Sequence, residues 1–135
     1  MGQADGVEPF ERGGAYDSGG QPEEAVPLYR EALERGLPDG LRRQAVIQLA
    51  SSLRNLGEAE ESVALLRAEL EAGSDELDDA VRAFLALALV DTGREREAVS
   101  FALAALAPHL PRYQRSLANY ARLLVETETE PPEAR

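Results

Sequence analysis

This chain has no cysteine, no tryptophan and no lysine among its 135 residues, and only one methionine. Without cysteine, disulfides and thiolate metal sites are excluded, and the absence is compatible with a reducing cytoplasm. All 14 basic residues are arginine, which together with abundant Ala, Leu, Glu and Gly is the usage expected of a GC-rich bacterial genome. Positive charge is scarce as well. The formal net charge of −11 repels phosphate backbones, whereas nucleic-acid binding rests on a basic stripe that releases counterions. Long apolar runs are also missing: the longest stretch without a charged residue, 98–111, is too short for a membrane helix and is broken by Pro108. Residues 1–6 are Gly-rich and polar and lack the apolar segment of a signal peptide. These absences predict one modest, soluble, cytoplasmic domain that binds neither nucleic acid nor membrane.

Catalytic vocabulary is equally thin. No Gly-rich phosphate loop, His-Glu-x-x-His pair, calcium loop or nucleophile elbow occurs. The single histidine, His109, lies between prolines and reads as a solvated loop residue, since proton transfer would need a pocket and a partner. Glu58, Glu60 and Glu61, like Asp75, Glu76, Asp78 and Asp79, sit at expected helix starts, where they complement the dipole and face solvent. They lack a second ligand set. The expectation is a non-enzyme with no catalytic residue, no cofactor and no metal.

What the sequence does have is a phrase used three times: a helical stretch ending in a glycine corner, followed by Glu and a small residue. The corners are Gly20, Gly57 and Gly93, spaced by 37 and 36 residues, which predicts an array of helical hairpins. Apolar residues return at three and four positions, so the fold class is all-α. A weak first helix follows Pro9 and carries Gly13 and Gly14, each costing roughly 1 kcal/mol against Ala. Pro22 opens the second helix. The third spans about 41–56, the fourth about 59–72 with Gly73 as a left-handed terminator, and Ser74 caps the fifth. The sixth covers about 95–107 and the seventh about 112–126.

The alignment is specific. Gly13, Tyr16, Gly20, Ala25, Tyr29 and Ala32 form the first repeat, with Pro9 and Arg12 at two usually apolar positions. Val46, Leu49, Ala50, Leu53, Gly57, Ser62 and Leu66 form the second. Leu85, Ala86, Leu89, Gly93, Ala98, Ala102 and Ala105 form the third, with Arg82 departing from a bulky position. Leu117, Tyr120, Ala121 and Leu124 repeat the first half once more. This pattern resembles the tetratricopeptide repeat (TPR). The strings at 15–18, 27–30, 47–57 and 110–113 are similar to a family of small stand-alone bacterial TPR proteins of unknown biochemical activity. The resemblance implies a right-handed α-α superhelix of three hairpins, at about 7–36, 38–73 and 74–108, with a capping helix at 112–126. Residues 1–6 and 127–135 are expected to be disordered. It also implies a non-catalytic protein-interaction scaffold that forms a homodimer. A monomeric peptide-binding adaptor is the alternative, and a nucleic-acid-binding helical repeat a distant one.

In such arrays the first helix of each pair lines the concave face. The candidate protein-binding residues are therefore Gln44, Ile47, Ser51 and Arg54, then Phe84, Leu87 and Val90, then Arg115 and Arg122. The Lys and Asn of a carboxylate clamp are absent, since those positions hold Phe10, Gly14, Ile47 and Ser51. Phe84, Leu87 and Val90 form an apolar stripe beside the packing stripe of Leu85 and Leu89. It must be covered by the last helix, by a second copy or by an apolar segment of another protein. Arg54, Arg115 and Arg122 offer carboxylate-recognising forks, or salt bridges to neighbouring acids.

Overall fold

The computed structural model describes residues 5–129. Seven α-helices follow one another: α1 Val7–Ser18, α2 Pro22–Arg35, α3 Asp39–Asn55, α4 Ala59–Ala72, α5 Asp78–Asp91, α6 Glu95–Leu106 and α7 Gln114–Thr129, with a 3-10 turn at Ala107–His109. Among the described residues there is no strand. The predicted fold class is what the chain adopts.

The three corners explain why the helices pair. Gly20, Gly57 and Gly93 have φ of +76°, +88° and +81°, a left-handed conformation that costs a side chain-bearing residue about 1–2 kcal/mol. In each corner the amide after the glycine donates to a carbonyl five residues back: Gln21 to Tyr16 at 2.9 Å, Glu58 to Leu53 at 2.8 Å and Arg94 to Leu89 at 2.9 Å. The same closure thus reverses the chain three times and satisfies carbonyls that the helix end would orphan. Gly73 behaves differently from expectation. Its φ of 171° is extended backbone, and its carbonyl accepts from Arg43 instead of closing a helix cap.

α1 pairs with α2, α3 with α4 and α5 with α6, and each new hairpin packs on the one before it. Ala25, Tyr29, Leu49 and Leu53 bind the first hairpin to α3, with Phe10, Val26, Leu33 and Leu65 around them. Ile47, Ala50, Val63 and Leu66 of the second hairpin pack with Val81, Leu85, Ala88 and Leu89 of α5. Despite its glycines α1 forms, because Gly13 lies against the Tyr29 ring: a Cβ there would come within 2.8 Å of it. Pro9 is buried, and Arg12 turns outward to Glu8.

The ends differ somewhat from expectation. The Gly6 amide donates to the Gly36 carbonyl at 3.0 Å, tying down a residue expected to be loose. α7 runs to Thr129, three residues into the stretch expected as tail. Residues 1–4 and 130–135 lie outside the described residues. α7 packs on α6 and the 3-10 turn.

Candidate protein-interaction surface

Charged side chains are mostly used internally. Arg54 sits 2.8 Å from Asp91 across the second and third hairpins, although its Nε–H is too poorly aligned to make a hydrogen bond. Arg122 pairs with Glu126 at 2.6 Å and with Asn119. Arg115 is exposed beside Arg82, Ala104 and Gln114. Gln44 is exposed, Ser51 half-buried, and Ile47 buried in the core between hairpins. Gln48 donates to the Tyr29 hydroxyl at 2.9 Å, which in turn donates to Asp17 at 2.8 Å. Burial first, and then the Asp17 carboxylate, push the Tyr29 phenol above its ordinary pKa against the Gln48 bond, which lowers it.

The acids at the start of α5 are not merely solvated. Arg43 is buried, and its guanidinium contacts Asp75, Asp78 at 2.6 Å, and the carbonyls of Glu69 and Gly73 at 3.3 Å each. Its Nε lies 3.5 Å from the buried Glu69 carboxylate, which Arg42 also holds. Burial alone would lower the Arg43 pKa, but hydrogen bonds to Asp78 and Asp75 outweigh it and raise it. Ser74 does not cap the helix; its hydroxyl donates to Asp78 at 2.6 Å. That bond, the Asp75 amide and Arg43 hold the Asp78 carboxyl at about 2. The sequence hid this network because its members are 26–35 residues apart, beyond any local pattern. His109, read as a solvated residue, places Nε2 2.8 Å from the Asp79 carboxylate.

The predicted apolar stripe divides. Phe84 is half-buried and packs against the core with Phe101. Leu87 and Val90 are 45% and 48% exposed, and so are Val99 and Leu106 of α6, at 48% each. Together with Ala83, Ala86, Ala98 and Ala102, Leu87, Val90 and Val99 line an open groove of about 300 Å³. The repeat explains what this groove is. Shifted back by one hairpin, Ala83, Ala86, Val99, Ala102 and Leu106 become Ile47, Ala50, Val63, Leu66 and Leu70, which the third hairpin packs against. The groove is thus the surface on which a following hairpin would stack. α7 does not occupy it.

That surface follows from the helix-pair repetition and not from any pocket with convergent polar groups; among the described residues no group of acids or histidine is arranged to hold a metal ion. Nor is any helix among them long and apolar enough to cross a membrane. Corners, small-residue helix contacts and an open stacking face together define a helical-hairpin repeat protein. A family model described as tetratrico peptide repeat matches residues 6–124. The chain belongs to the tetratricopeptide repeat family, whose members act as scaffolds that bind proteins or peptides. Comparison with curated proteins and with solved structures finds no match.

Proposed function

We propose that this chain is a non-catalytic, cytoplasmic protein-interaction module that works as a homodimer, with the open α5–α6 surface in its interface. One observation carries the reading: Leu87, Val90, Val99 and Leu106 stand half-exposed on a surface whose counterpart in the preceding hairpin is covered. Apolar area left open costs about 25 cal/mol per Å², and covering it is the driving force available for association. Sedimentation of the purified protein at tens of micromolar tests it. A dimer that Leu87→Glu converts to a folded monomer is expected; a wild-type monomer overturns the reading.

The groove beside Leu87 and Val90 favours a second reading, an adaptor that receives an apolar segment of another protein. Under it the wild type is monomeric, captures a cellular partner in a pull-down, and loses that capture in Leu87→Glu.

A further inference from the structure

The same chain that leaves a stacking surface open also leaves open a stripe shaped to cover one. In α3 the residues turned toward the preceding hairpin include Ala45 and Leu49, which pack with Ala32, Leu37, Ala25 and Tyr29. In α5 the corresponding residues are Val81, Leu85 and Ala88, all fully buried against the second hairpin. The same register carried into α7 falls on Ser116, Tyr120 and Leu123. None of these is buried: Tyr120 is 65% exposed, Leu123 is 36% exposed, and Ser116 is exposed too.

The other stripe of α7 is occupied. Ala121 is 1% exposed, and its carbonyl accepts a 2.6 Å hydrogen bond from the Ser100 hydroxyl on α6. Ala118, Arg122 and Val125 lie beside Phe101 and Ala104 of α6. The Gln114 side chain locks the approach by donating to the carbonyls of Pro108 at 3.1 Å and Leu110 at 2.7 Å. In α3 and α5 the small residues equivalent to Ala121, Ala50 and Ala86, are buried in the core shared by the second and third hairpins. On α7 the Ala121 side is taken by α6, and the stripe that meets a preceding hairpin in α3 and α5 is left over. To bring its own stripe onto its own α5–α6 surface, α7 would have to abandon the Ser100 bond and the burial of Ala121. A second copy requires neither.

Resting on the dimer reading above, we propose that the occupant of the α5–α6 surface is the Ser116, Tyr120 and Leu123 stripe of a second copy's α7, engaged reciprocally. Each copy then acts as the missing fourth hairpin of the other. The contact uses the same face as the existing hairpin joint, with Tyr120 in the place of Leu85; Ala83 and Ala102, where the preceding hairpin has Ile47 and Leu66, leave room for the larger ring. Reciprocity doubles the buried area, toward the roughly 1,000 Å² that a stable pair requires. It also closes the assembly as a two-fold dimer; a one-way contact would propagate into a filament.

The cysteine-free chain gives a clean test, because introduced thiols are the only ones present. Tyr120→Cys and Val99→Cys proteins, each checked for helical circular dichroism, are mixed under mild oxidation. The expected result is a mixed disulfide between the two variants and little cross-linking of either alone. Sedimentation of Tyr120→Glu should show association weakened by roughly tenfold or more, since buried interface tyrosines rank among the dominant contacts. Val99→Cys that cross-links to itself, or a dimer indifferent to Tyr120→Glu, overturns the proposal and leaves the dimer standing. A double variant that bridges within one chain also overturns it, by placing α7 on its own hairpin. Wild-type protein that sediments as a monomer, together with no mixed disulfide between the two cysteine variants, removes the dimer reading itself.

Discussion

Gly13 shows how much a single residue decides. In an exposed helix a Gly-to-Ala change gains about 1 kcal/mol, but here the new methyl would come within 2.8 and 2.9 Å of two Tyr29 ring atoms and 3.4 Å of the Leu28 Cβ. The ring cannot yield, because it is fully buried and its hydroxyl is fixed by Gln48 and Asp17. Overpacking of about 1–3 kcal/mol then wins over propensity, and Gly13→Ala should lower the urea midpoint. Gly40 is the control, since nothing lies within 4 Å of a Cβ there; Gly40→Ala should leave the midpoint unchanged or raise it. The sequence made Gly13 legible as a close-approach position, because the repeat demands a small residue there. It did not reveal that the neighbour was Tyr29, held by Gln48 of α3.

Between elements, the α4–α5 connection is held by Arg43. Removing the guanidinium would leave the buried Glu69 with Arg42 alone and strand two backbone carbonyls, so Arg43→Met should destabilise on the order of 3 kcal/mol. Arg43→Lys should rescue little, since one ammonium cannot serve Asp75, Asp78 and two carbonyls as a planar fork does. Chemical denaturation of the two variants checks both. The pH dependence has a defined sign. Asp78 is held at about 2 against an ordinary 3.8, so the folded state binds its proton later than the unfolded chain. Its contribution is intact above about pH 4 and fades as pH falls toward 2. Between those limits wild type should lose more stability than Asp78→Asn, and urea midpoints taken at both ends measure it. None of this was readable from spacing: acids at a helix start suit the dipole whether or not an arginine from an earlier hairpin reaches them.

For the whole molecule, stacking three hairpins was legible and the seat of the last helix was not. Leu117, Ala121 and Leu124 announce one apolar stripe, of which Ala121 is buried and the two leucines half-buried, but the pattern is silent on whether α6 alone or the whole α5–α6 surface receives it. The same limit applies to Phe84, Leu87 and Val90, one stripe in sequence and two environments in the fold: Phe84 reaches back to the core, while the others face the open end. A dimer joined there should melt at a temperature that rises with protein concentration, because association stabilises by mass action. Leu87→Glu should melt at a temperature independent of concentration, and calorimetry over a hundredfold dilution range distinguishes the two.

The three identical corners have a consequence for how the chain is made. Each closes on a carbonyl only five residues behind it, so every reversal draws on polypeptide already synthesised. Sequence-local pairing of this kind is the fast end of the folding-rate spectrum. A nascent chain leaving the ribosome can set one hairpin, then lay the next upon it, in the order of translation. By the time α7 emerges, the scaffold it joins is already standing.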